Sequence, residues 1–255
     1  MLARRCKGVL KKPSQIEAMR HAGRVSAMAL DAAGRAMEAG VSTAEVNAEV
    51  ERCIRAEGAR PAFRGYGGFP AASCISINEK VVHGIPRADE IVGDGDIVSV
   101  DTGAVVDGWA GDNARTFLVG KVDPVVRLLC EACEAARDAG AAAACAGNTL
   151  GDIGAAVQAH AEKHCFGVVR ELVGHGVGRS LHEPPDVPNF GRAGRGMKLK
   201  PGLVVAIEPM FTLGSPAICT LPDGWGVVTR DGAPAAHFEH TVAVTEDGPV
   251  VLTRA

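Results

Sequence analysis

The stretch HGVGRSLHEPPDVPNFG, from His175 to Gly191, displays two imidazoles, His175 and His182, on a segment too broken by glycine and proline to form a helix. A neutral imidazole can ligate a metal ion or carry a proton. Four acids stand in comparably unusual places. Asp101 and Asp112 lie in DIVSVDTGAVVDGWAGDNARTF, Glu208 closes the apolar run LVVAI before Pro209, and Glu239 opens FEHTVAVT after His237. Asp107-Gly108 is a two-residue hairpin signal, and a hairpin turning there sets Gly103 opposite Asp112 and Asp101 opposite Ala114. Strand side chains alternate with period two, so Asp101 and Asp112 then leave the same face as diagonal neighbours.

Two carboxylates on one strand face are compatible with a solvated surface, but Val98, Val100, Val105 and Val106 mark these strands as at least half buried. An ionised carboxylate in an apolar interior needs a partner, and several of them together repel one another. No lysine or arginine flanks Asp101, Glu208 or Glu239 in these segments. Divalent cations answer the problem. Two ions balance four carboxylates, and an imidazole completes an oxygen and nitrogen ligand set that suits manganese, iron, cobalt or zinc. Such a pair, about 3.5–4 Å apart, can hold a hydroxide between its members near neutral pH. One imidazole would bind metal, which leaves the other for a substrate.

The elements that must position these groups come in two similar sets. A helix is predicted from Pro13 to Ala39, with Gly40 just past its end, and a second starts at the capping box Ser42-x-x-Glu45. Gly147 to Ile153 repeats the grammar of Gly40 to Val46 at an offset of 107 (40 to 147), between a preceding helix and GAAVQAHAEKHC. Each helix pair is followed by strand-type sequence. The first set is CISINEKVVHGIP and the Asp101–Asp112 hairpin; the second is GLVVAIEPMFTL and FEHTVAVTEDGPVVLT. Helices then strands, twice, predict an α+β duplication in which helices cover one side of a continuous curved sheet, all within a single domain over residues 1–255. The basic opening through residue 11 is predicted to be a flexible tail.

The remaining composition narrows the function classes. A net charge of -3 with scattered Lys and Arg gives no footprint for nucleic acid. No signal peptide and no membrane-length apolar run are visible, which predicts a cytoplasmic protein with no membrane partner. Eight cysteines in that setting read as reduced thiols, and Cys130-x-x-Cys133 lies in helical sequence with no second pair at zinc-finger spacing. His21, His160, His164 and His237 read as surface or satisfied core residues. His240 neighbours Glu239, but strand alternation sends it to the opposite face. Phe63, Tyr66 and Phe69 crowd the Gly-rich segment AFRGYGGFP, a loop in which aromatics make more sense as a lining for an apolar ligand than as core.

In order and surroundings, Asp101, Asp112 in DGWAGDNARTF, His175 in GHGVGRSLHEPP, Glu208 in AIEPM and Glu239 in FEHTVAVT resemble the metal ligands of the type I methionine aminopeptidases. The resemblance runs from about Lys12 to the C-terminus and includes SINEKVVHGIP. It implies the pita-bread fold, with two pseudo-symmetric halves. It further implies removal of the initiator methionine from nascent polypeptides with a small second residue, by attack of a metal-bridging hydroxide on the scissile carbonyl. Under it, Asp101 would chelate one ion, His175 and Glu208 would serve the other, and Asp112 and Glu239 would bridge both. His83 would stand near the scissile amide nitrogen and His182 near the carbonyl oxygen, where donors stabilise developing charge. Glu208 would also carry the proton from the nucleophilic water to the leaving amine. Gly174, Gly176 and Gly178 would let backbone and substrate approach closely.

The same resemblance assigns the methionine side chain to Phe63, Tyr66, Phe69, Cys74, Leu181 and Trp225. Leu181 stands where the family carries Phe, and its smaller side chain is expected to loosen the pocket. A monomer is implied, with nascent N-termini as substrate partners and a transient ribosome contact as a further option that the short basic opening supports only weakly. Two alternatives share the fold: an aminopeptidase or dipeptidase acting before proline, whose members usually carry an extra N-terminal domain, and a non-catalytic binding protein that has lost its metal.

Overall fold

The computed structural model describes residues 10–255. Its helices are α1 (Pro13–Ala36), α2 (Thr43–Ala56), α3 (Pro124–Ala143) and α4 (Leu150–Lys163). The first-half strands are β1 (Arg60–Pro61), β2 (Ser73–Ile77), β3 (Lys80–Val82), β4 (Ile97–Val106) and β5 (Trp109–Leu118). The second half holds β6 (Gly167–Val168), β7 (Gly174–Gly176), β8 (Glu183–Val187), β9 (Val204–Ile207) and β10 (Met210–Thr212). It ends with β11 (Ile218–Thr220), β12 (Val227–Thr229), β13 (Ala235–His237), β14 (His240–Thr245) and β15 (Gly248–Val251). The strands pair as four sheets, antiparallel throughout, so the curved layer is hydrogen-bonded in sections rather than without interruption.

Local chemistry sets the helix ends. Pro13 opens α1, where a missing N–H costs nothing, and the Ser42 and Thr149 caps are closed by Glu45 and Asp152. The apolar stripe of α1 (Met19, Ala22, Val25, Ala29, Ala33) and that of α2 (Val46, Val50, Ile54) are buried. One hydrophobic cluster joins α1 and α2 to Ile75, Val98 and Val100, and another joins α3 and α4 to Val205, Ile207 and Val242. Each helix pair thus covers the strands of its own half.

The internal repeat extends into the hydrogen bonds. Gly40 N–H donates to Val92 O and Gly147 N–H to Leu199 O, and Thr43 to Glu90 as Leu150 to Met197, each pair separated by the same offset of 107 (40 to 147, 92 to 199). Carried along the chain, that offset takes Asp101 on β4 to Glu208 just past β9 (101 to 208).

The β4–β5 hairpin has the predicted register, with Gly103 opposite Asp112 and Asp101 opposite Ala114. Asp107 and Gly108 both take positive φ, as a type I′ turn requires. Helix α1 lies on this hairpin at backbone contact: a Cβ on Gly111 would stand 2.4 Å from Gly23 N. Ser26 Oγ donates at 2.6 Å to Thr102 O and bonds Asn113 Oδ1 at 2.7 Å, which fastens the helix beside both hairpin acids. Gly111→Ala should therefore destabilise the protein by about 3 kcal/mol, the upper range for an overpacked contact that only backbone movement can relieve; urea unfolding measures it, and a loss under about 0.5 kcal/mol, typical of surface changes, would contradict the contact.

The flexible opening predicted for residues 1–11 lies outside the described residues as far as position 9, and it does not hold at its last residue. Lys11 is buried, its N–H donates to Gly202 O at 2.7 Å, and its Nζ pairs with Glu183 at 2.8 Å. A lysine stem packs against apolar surface while its ammonium finds a carboxylate. Sequence reading could not anticipate the partner because it stands 172 residues away.

Candidate active site

Strands from both halves converge on one cavity of about 250 Å³. Asp101 projects from β4 and Asp112 from β5; His175 sits on β7, Glu208 follows β9, and Glu239 precedes β14. All five line the cavity, together with His83, His182, Phe63, Tyr66, Phe69, Cys74, Leu181 and Trp225. Every site residue predicted from the sequence is brought to this one space.

The halves are locked together at the acids. Thr241 Oγ1 donates to Asp112 O at 2.7 Å and accepts from Asp112 N–H at 3.1 Å, while Glu239 N–H donates to Ala114 O at 2.9 Å. Asp112, His175 and Glu239 each offer a ligand atom within 4.8 Å of the others. His175 Nε2 stands 3.4 Å from Glu208 Oε1 and 3.8 Å from Asp112 Oδ2. Its Nδ1 faces Gly176 O at 3.0 Å, so that nitrogen carries the proton and Nε2 is left with a lone pair aimed into the cluster.

Burial makes these charges costly. It drives the carboxyls of Asp101, Glu208 and Glu239 well above the ordinary carboxylate range, with the neighbouring acids adding to the rise, and it pushes Asp112 up to about 8. Burial likewise lowers His175 to about 4, helped by His182. Asp101 Oδ1, Asp112 Oδ1 and Glu239 Oε1 are buried without a hydrogen-bond partner, and among the described residues no lysine or arginine pairs with any of the four acids. Orphaned carboxylate oxygens beside a correctly oriented imidazole fit a hard-to-borderline divalent cation.

The substrate side has two further imidazoles and an apolar wall. His83 follows β3 in a left-handed conformation, φ 59°, which a non-glycine residue adopts only when its surroundings hold it there. Burial lowers its pKa and that of His182, so both are held neutral near pH 7. The His182 ring lies 4.1 Å from that of His175, and its Nδ1 is 2.8 Å from the Tyr66 hydroxyl. Phe69 meets Trp225 edge to face at 5.1 Å, and Leu181 is buried in the same cluster as Phe63.

Several readings need correction. His237, predicted as a surface or satisfied core residue, is fully buried with neither ring nitrogen hydrogen-bonded, and its Nε2 stands 3.7 Å from Glu208 Oε2. Its strand β13 pairs with β10, whose Met210 opposes it, so tertiary pairing carries it beside an acid 29 positions away (208 to 237). The three glycines around His175 admit neighbouring protein rather than substrate: Cβ atoms at Gly174, Gly176 and Gly178 would each stand 2.3 Å from Ala206 O, Pro184 O and Glu183 Oε1. His240 stays out of the cavity as predicted, held by Thr253 Oγ1 at 2.9 Å. The seven cysteines among the described residues are free, and Cys133 is buried with its Sγ 3.3 Å from Pro209 O, a packing role.

Comparison with known proteins agrees with this geometry. The model of Metallopeptidase family M24 matches residues 17–246. The chain belongs to that family. Within M24 it falls among the methionine aminopeptidases. It is 44% identical to the methionine aminopeptidase of Clostridium acetobutylicum over 245 residues, covering 96% of this chain and 98% of that one. The crystal structure of a methionine aminopeptidase from Thermotoga maritima superposes with a TM-score of 0.95 at 41% identity, covering 96% of this chain and 99% of its own. Prolidase from Pyrococcus furiosus, 24% identical with a TM-score of 0.78 over 97% of this chain and 66% of that one, shares the fold alone. The chain is thus an M24 hydrolase with the pita-bread fold and a site suited to divalent metal. Among the described residues no helix is long and apolar enough to cross a membrane.

Proposed function

We propose that this M24 enzyme acts as a single catalytic domain that removes the initiator methionine from nascent polypeptides whose second residue is small. The reading is supported above all by three orphaned carboxylate oxygens that share a cavity with an apolar wall and two unligated histidines. Asp101, Asp112, His175, Glu208 and Glu239 would hold two divalent ions, drawn from cobalt, manganese, iron or zinc according to availability. When bound, the ions supply an activated water and polarise the scissile carbonyl.

The chain's own groups do the rest. Phe63, Phe69, Cys74, Leu181 and Trp225, with the Tyr66 ring, receive the methionine side chain and exclude water from the bond to be cut. His182 donates to the carbonyl oxygen as negative charge grows there, and His83 meets the amide nitrogen. Glu208 accepts the proton of the attacking water and delivers it to the departing amine. Leu181 leaves more room than an aromatic ring, so the pocket should also accept side chains somewhat bulkier than methionine. The work is cytoplasmic and monomeric in this reading, with nascent N-termini as partners and at most a passing contact with the ribosome.

A peptide panel varied at its first two residues separates this function from cleavage before proline. Met-Ala-Ser should be hydrolysed at least 100-fold faster, in kcat/KM, than Ala-Pro-Ser or Met-Leu-Ser, since a difference of about 3 kcal/mol is within reach of pocket contacts. Preference for Ala-Pro-Ser would sink the reading.

A further inference from the structure

The loop that precedes β2 places aromatic residues at positions 63, 66 and 69, and two of the three are phenylalanine. The third is Tyr66, the only tyrosine of the chain. An apolar wall has no use for a phenol, and Tyr66 is 42% exposed where Phe63 and Phe69 are buried. Its hydroxyl stands 2.8 Å from His182 Nδ1, the one hydrogen bond of either side chain among the described residues. The loop holds it there by closing on itself: Tyr66 N–H donates to Phe63 O, Phe69 N–H to Tyr66 O, and Gly65 N–H to Phe69 O, at 2.9, 2.9 and 2.8 Å. The two rings lie 5.1 Å apart at a tilt of 39°, which keeps the phenol at the edge of the imidazole.

A neutral imidazole has one N–H and one lone pair, and the partner at one nitrogen decides which is which. A phenol is a strong O–H donor and a weak acceptor, whereas an imidazole lone pair is a strong acceptor, so the favoured pairing is O–H to Nδ1. That leaves the proton on Nε2. We propose that Tyr66 is a positioning residue that fixes His182 in its Nε2–H tautomer, which makes this imidazole a hydrogen-bond donor to the substrate carbonyl and disqualifies it as a general base. The proposal rests on the substrate role given to His182 above and adds the reason that the role is donation.

The test compares wild type with Tyr66→Phe, which keeps the ring and removes the hydroxyl. Long-range proton–nitrogen NMR of 15N-histidine-labelled, zinc-loaded enzyme should show His182 protonated at Nε2 and bare at Nδ1 in wild type, and a mixture of tautomers in Tyr66→Phe. Manganese-loaded Tyr66→Phe should lose about tenfold in kcat, the scale of one hydrogen bond, with KM within about twofold because the apolar surface is unchanged. Uniform 3-fluorotyrosine labels position 66 alone, and its fluorine resonance should move in His182→Ala. A wild-type His182 protonated at Nδ1, or a Tyr66→Phe variant with unaltered tautomer and kcat, overturns the assignment. Unchanged turnover in His182→Ala would instead remove the substrate role of His182 and the Tyr66 assignment with it, whereas a crippled His182→Ala beside an unaffected Tyr66→Phe removes Tyr66 alone.

Discussion

EDTA should abolish hydrolysis of a Met-Ala peptide, manganese, cobalt or iron should restore it, and the chelated protein should lose stability as pH rises above 6.5. Both effects come from the same oxygens. Asp112 is pushed up to about 8 by burial, and Asp101, Glu208 and Glu239 are raised well above their ordinary range by burial and by one another. A carboxyl whose folded-state pKa lies above its unfolded value binds more protons when folded, so its contribution to stability is complete at low pH and falls as pH climbs towards the folded pKa. His175, lowered to about 4, and His237, lowered to about 3, act in the opposite sense, but only below about pH 6.5 where unfolded histidine protonates. The window from pH 6.5 to 8 therefore isolates the acids. One group that stays protonated across it costs about 2 kcal/mol, and at about 2–4 °C per kcal/mol the melting temperature of the chelated protein should drop by about 5 °C or more. Restored metal should flatten the profile, because a cation favours the ionised form of each ligand. Hydrolysis that survives EDTA, or a flat melting profile after chelation, would contradict a metal site built on these four acids.

His182→Ala should lower kcat by about 10²–10³-fold, the usual effect of deleting one donor to a developing oxyanion, while metal content stays near that of wild type. The geometry separates the two outcomes. His182 turns its Nδ1 to Tyr66, whereas His175 sets Nε2 within 3.4 Å of Glu208 and 3.8 Å of Asp112. His175→Ala should accordingly lose metal and activity together. Metal analysis beside steady-state kinetics distinguishes these cases, and loss of both ions from His182→Ala would refute the division of roles between the two imidazoles.

Much of this site was legible before any coordinates. Asp107-Gly108 specifies a turn whose geometry dictates register, and register dictates which faces Asp101 and Asp112 share, so a two-residue signal carried through to the relation of two acids. Ser42 and Thr149 announce helix starts by local capping chemistry, and the repeat they define extends to matching hydrogen bonds 107 residues apart (42 to 149). Elements with weak local signals fared worse. β8 was hidden by Pro184 and Pro185, which an edge strand tolerates because its outer N–H groups have no ladder to join. The three-residue strands β11 and β12, which flank Trp225, are too short to leave a periodicity.

What the sequence determined by itself was the chemistry of the centre: four acids without cations and imidazoles on a segment too broken for a helix, because charge, period-two alternation and turn type act over a few residues. Only the tertiary structure decided that Lys11 closes on Glu183, that His237 stands against Glu208, and that Tyr66 holds His182 across 116 residues of chain. Those contacts join segments with no local signal for one another, and they form because burying each helix pair against the strands of its half brings distant parts of the chain side by side.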